Sequence, residues 1–114
     1  MAKYDLRTTL NQMREFAAAV AGEAALGRER YETDRYGRAY VDLHLLLLGE
    51  AANRIRAELE LLEPSEPRGD VVGLRNVIVH GYDRVKRERV WATAPDAVPA
   101  LLATVDALMA RLDA

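Results

Sequence analysis

Between Tyr36 and Leu62 apolar residues return at three- and four-residue steps: Tyr36, Tyr40, Leu43, Leu47, Ala51, Ile55, Leu59 and Leu62. A strand turns every second side chain to the same face, so this spacing demands an α-helix with an apolar side. Thr33 or Asp34 can cap its start, and Pro64, Pro67 and Gly69 break the chain into a turn beyond it. In its middle, Leu45-Leu46-Leu47-Leu48 is apolar on every side. That predicts cover on two faces, one from the chain's own core and one from a partner.

A long helix of this kind needs neighbours with matching apolar stripes, and the rest of the chain supplies them. Alanine and leucine make up about a third of the residues, and arginine and glutamate are abundant, which favours helix almost throughout. Leu6, Leu10, Met13, Phe16, Ala17 and Val20 mark a first helix ending near Gly22, read as a left-handed cap, with a connector over 22–33. In Val71–Tyr82 the β-branched run Val77-Ile78-Val79 favours a strand by propensity. No partner strand is visible, however, and a lone strand leaves its backbone unpaired, so a helix capped by Asp70 and ended by Gly81 is expected. Leu101, Leu102, Val105, Leu108, Met109 and Leu112 form a last helix, which Pro95 and Pro99 either kink or divide from a turn around Trp91. The sum is an all-α domain of four or five helices without internal repeats.

A chain of 114 residues is the size of one domain with one core. With 50% hydrophobic and 30% charged residues, and no uncharged apolar run of 18, it reads as soluble and globular, neither membrane-spanning nor disordered. It has no cysteine, and Met1-Ala2-Lys3-Tyr4-Asp5 lacks the apolar stretch of a signal peptide, so a cytoplasmic location is expected. The net charge of −2 gives no long-range attraction to nucleic acid. A local patch does: Arg68, Arg75, Arg84, Lys86, Arg87 and Arg89 face only Asp70, Asp83 and Glu88 over 68–91.

There is no Gly-rich phosphate loop, no Cys/His cluster and no nucleophile elbow, so neither a metal nor a cofactor is expected. Chemistry concentrates instead in Gly73-Leu74-Arg75-Asn76-Val77-Ile78-Val79-His80-Gly81-Tyr82. On a helix, Asn76 and His80 lie about 40° apart and share a face. Arg75 lies about 140° from His80, so its guanidinium must curl across or act with another chain. Imidazole moves protons near neutral pH, and arginine stabilises charge on phosphoryl oxygens. These are the parts of metal-free RNA cleavage, in which the 2′-OH loses a proton and the 5′-oxygen gains one. One histidine does not easily do both, whereas a two-fold dimer apposing two copies of His80 supplies an acid and a base. The plainer reading is a histidine at a helix C-terminus and an arginine paired with an acid such as Glu50.

The segment Arg75–Tyr82 resembles the motif of the HepT-like toxins of the HEPN superfamily: Arg, a polar residue, three more, then His-x-Tyr. Leu48-Gly49-Glu50-Ala51-Ala52-Asn53-Arg54 is similar to a second stretch of that family, and Val90-Trp91 followed by Pro99 to its last helix; the likeness spans about 36–112. The resemblance implies a single HEPN domain over 1–114, a four- to five-helix up-and-down bundle, and a homodimer with the motif at its interface. It also implies a metal-independent endoribonuclease toxin with Arg75 and His80 as the catalytic pair and Asn76 orienting them. The partner would be an MNT-type nucleotidyltransferase antitoxin that uses ATP to adenylylate Tyr82; the toxin itself would need no cofactor. Glu50, Asn53 and Arg54 would line the cleft, although an i,i+4 pair of Glu50 with Arg54 is an equal account of two of them. Arg84 and Lys86, in a basic run with Arg87 and Arg89, would meet RNA or an acidic antitoxin, or simply form a solvated loop. His44, Trp91, Tyr36 and Tyr40 are read as packing residues.

The competing function is a non-catalytic subunit that presents substrate or nucleotide to a minimal nucleotidyltransferase. A third reading, a structural dimerisation module, leaves the polar motif without a purpose.

Overall fold

The structure, a computed structural model, describes residues 3–60, 66–81 and 83–114. Among them are six helices and no strand: α1 (Lys3–Ala24), α2 (Arg28–Thr33), α3 (Arg35–Arg54), α4 (Arg56–Glu60), α5 (Glu66–His80) and α6 (Asp83–Asp113). The all-α expectation holds, and Val77–Val79 is helical, because in α5 the backbone pairs with itself while Ile78 packs against the core. No helix among the described residues is long and apolar enough to cross a membrane.

α1 and α5 each pack against both α3 and α6, so the four long helices close into a ring with α1 opposite α5. Ion pairs of Arg7 with Asp113 and Arg14 with Asp106 run α1 antiparallel to α6. Phe16 against His44 and Glu23 over Gly37 do the same for α1 and α3. The result is an up-and-down bundle measuring 44 × 23 × 20 Å. Leu10, Met13, Leu45, Leu48, Leu74 and Leu101 meet along its axis with under 2% exposure. Each leucine removed from water in this way contributes about 1.5–3 kcal/mol.

The long apolar stripe turns out to be two. Val41, Leu45, Leu48 and Ala52 face the core, while Tyr36, Tyr40 and Leu43 are 72%, 46% and 50% exposed and Leu47 is half-buried. Tyr36 is therefore not a packing residue within the chain, and Tyr40 is only partly one: both stand on the outer face of α3, with Tyr40 stacked on His44 one turn along. Asp34 rather than Thr33 caps α3, its Oδ1 accepting from the N–H groups of Tyr36 (2.9 Å) and Gly37 (3.2 Å). The helix also bends earlier than expected. At Ile55 φ is −111° and ψ 28°, and α4 begins there, keeping Ile55 and Leu59 buried. Leu62 and Pro64 lie outside the described residues.

Other boundaries move for plain reasons. Gly22 stays helical within α1; the glycine at positive φ is Gly27 (φ 103°), which separates α1 from a short helix in the expected connector. Pro67 and Gly69 fall inside the first turn of α5 instead of breaking the chain, since a helix start needs no N–H from proline. Asp70 therefore lies within the helix and does not cap it. Pro95 and Pro99, both exposed and one turn apart, sit in a continuous α6 that takes in Trp91. Beneath the bundle's surface, Asp42 accepts from the Tyr31 hydroxyl at 2.7 Å and pairs with Lys86 at 3.2 Å, joining α2, α3 and α6.

Candidate functional site

α5 divides its residues cleanly. Val71 and Leu74 are fully buried against the bundle and Ile78 packs half-buried beside them. With 3.6 residues per turn, the opposite side must then carry Val72, Asn76, Val79 and His80, and Asn76, Val79 and His80 are indeed exposed. The polar motif therefore faces solvent, as a site for a large substrate must. Arg75 stands at the edge between the two sides, next to α3.

What brings α3 so close is Gly49. A Cβ placed there would come within 2.7 Å of the Arg75 Cβ and 3.2 Å of the Val71 carbonyl oxygen, so any larger residue would push the helices apart. At this separation Arg75 Nε donates to Glu50 Oε1 at 2.5 Å, and Nη1 donates to Asn76 Oδ1 at 2.8 Å. The pairing of Arg75 with Glu50 is thus the one that the plain reading of the sequence named, and Glu50 takes it in preference to Arg54 on its own helix. Gly49, Glu50, Asn53, Val72, Arg75 and Asn76 line a pocket of about 220 Å³. The Arg75 and Glu50 side chains remain 32% and 44% exposed, so their pair contributes only about 0–1 kcal/mol to stability.

His80 ends α5 one turn beyond Asn76, exposed, and no hydrogen bond joins it to Arg75 or Asn76 within the chain. Gly81 follows because a Cβ there would lie 2.5 Å from the Val77 carbonyl oxygen, whose hydrogen bond from Gly81 N closes the last turn. Tyr82, the expected modification site, lies outside the described residues.

The remaining candidates separate. Asn53 lines the pocket and Arg54 is exposed at the end of α3. The basic run is helical, not a loop: Arg84 is 86% exposed and pairs with Glu88 four residues on. Lys86 is withdrawn from that solvent-facing group, its ammonium turned inward to Asp42 and its side chain only 21% exposed. His44 is a packing residue, its ring 4.2 Å from Tyr40 and its Nδ1 donating to the Tyr40 carbonyl. Trp91 packs half-buried against the core, 5.7 Å from the Tyr31 ring. The residue that sequence reasoning missed is Gly49, whose signal was a glycine inside a strongly helical pattern, a mark of close packing.

Comparison with known proteins gives one family. The model of the family described as Ribonuclease HepT-like matches residues 6–108. No curated protein and no solved structure matches the chain.

Proposed function

Because the chain belongs to the HepT-like ribonuclease family, we propose that it is the toxin of a toxin–antitoxin pair, an endoribonuclease that cleaves RNA without a metal ion at a site shared by two copies of the chain. The observation that carries this reading is the outward presentation of Arg75, Asn76 and His80 from one end of α5. A buried motif could not reach a phosphodiester.

In the proposed reaction one His80 takes the proton of the 2′-OH, whose oxygen attacks the adjacent phosphorus. The bond to the 5′-oxygen breaks, and His80 of a second copy gives that oxygen a proton, leaving a 2′,3′-cyclic phosphate. Arg75 stabilises the charge that builds on the phosphoryl oxygens. Dimerisation draws support from the outer stripe of α3, where Tyr36, Tyr40 and Leu43 are exposed, and from Val79 on α5, itself 46% exposed. Apolar side chains grouped in this way mark a contact surface. Purified protein should cleave RNA in EDTA, and His80→Ala should abolish cleavage while leaving the melting temperature unchanged. Cleavage by that variant at the wild-type rate would remove His80 from the mechanism.

Regulation is proposed through Tyr82. A partner nucleotidyltransferase of the MNT type would join the tyrosine oxygen to the α-phosphorus of ATP, with pyrophosphate leaving. A nucleotide two residues from His80 adds bulk and negative charge where RNA must lie. Co-expression with an MNT-type nucleotidyltransferase should add the mass of one or more AMP units. Tyr82→Phe should gain no mass and stay toxic, and an unchanged mass for the wild-type chain would contradict this route.

A further inference from the structure

We infer that Glu50 is a positioning residue for the ribonuclease reaction, fixing the Arg75 guanidinium so that one edge of it is presented to the scissile phosphate. The inference rests on the function proposed above and assigns a task to a residue that does not itself touch RNA.

A guanidinium has five N–H donors in a rigid plane. Glu50 takes Nε and Asn76 takes one hydrogen of Nη1, which leaves the other Nη1 hydrogen and both on Nη2. Two fixed points on a planar group define its plane and its rotation, so the free donors have a set direction. A phosphoryl oxygen would then meet the Nη atoms, not the side of the fork that Glu50 holds. Without Glu50 the arginine keeps one tether, to its own neighbour in sequence, and regains the rotamer freedom of a long side chain.

Stability does not account for this arrangement. The pair is too exposed to stabilise the fold appreciably, yet Gly49 keeps two helices close enough for it to form. Glycine within a helix is itself destabilising relative to alanine. The gain is orientation. A carboxylate that instead held Arg75 away from phosphate would have the opposite signature, since its removal would speed cleavage.

The experiment is steady-state cleavage of one RNA oligonucleotide in EDTA by wild type, Glu50→Ala, Glu50→Gln, Gly49→Ala and His80→Ala, with melting temperatures measured alongside. Positioning requires kcat to fall about 10- to 100-fold in Glu50→Ala with a smaller change in KM. Glu50→Gln keeps an acceptor oxygen at the same reach and should recover part of the loss, while Gly49→Ala should lose activity even though Glu50 is intact. Both Glu50 variants should melt within a few degrees of wild type. If wild type cleaves and His80→Ala does not, but Glu50→Ala matches or exceeds wild type, the inference is overturned and the ribonuclease reading stands. If wild type cleaves nothing, both fall.

Discussion

Asp34 holds the start of α3 with one carboxylate oxygen shared between two backbone N–H groups. Those bonds, from Gly37 first and Tyr36 second, lower its pKa below the ordinary aspartate value, and the charges of Arg30 and Arg38 add to them. The direction fixes the pH dependence. An unfolded chain with the higher pKa binds the proton first, so the cap stabilises the fold above the ordinary carboxylate range and ceases to do so as pH falls through the lower folded value. Asp34→Ala should melt at a lower temperature at neutral pH, and the gap to wild type should close in acid; a gap that widens in acid would contradict this. Asp34 was one of two caps the sequence offered. Thr33 was ruled out only by the structure, where its hydroxyl donates back to the Glu29 carbonyl at 2.8 Å.

At the scale of elements, α3 shows what a one-dimensional pattern leaves open. Where Leu45–Leu48 is apolar on every side, periodicity identifies a helix but not which face meets the chain's own core. The tyrosines of the outer stripe were the conspicuous residues, yet the buried stripe is Val41, Leu45, Leu48 and Ala52. Two substitutions two residues apart should therefore behave differently. Leu45→Ala, at full burial, should lower unfolding free energy by about 2–5 kcal/mol in denaturant titration. Leu43→Ala, half exposed, should change it by no more than about 0.5 kcal/mol and instead weaken self-association in sedimentation. Equal losses in both would mean the faces are assigned wrongly. α5 was more legible, because Gly81 marks its end and places Asn76 and His80 on one side whatever the bundle does around them. Its start was not, because Pro67 reads as a breaker in sequence and acts as a first-turn residue in the structure.

For the whole molecule, the ring of four helices brings together residues that no local pattern relates. Glu50 and Arg75 come from different helices, and their contact depends on the close approach at Gly49. The set of Tyr31, Asp42 and Lys86 is of the same kind, joining three helices through a side chain first read as a contact to RNA or an antitoxin, or as part of a solvated loop. The proposed catalytic triplet of Arg75, Asn76 and His80 was legible because it is local: it lies within six residues of one helix, with exposure decided by one buried stripe. A single chain nevertheless presents one His80 to a proposed reaction that transfers two protons. The most direct measurement is the cleavage rate of a mixed dimer, purified through two different tags, that pairs one wild-type chain with one His80→Ala chain. If imidazoles of both chains serve one phosphodiester, the rate should fall nearly to that of the double-mutant dimer; half the wild-type rate would show that each chain carries an independent site.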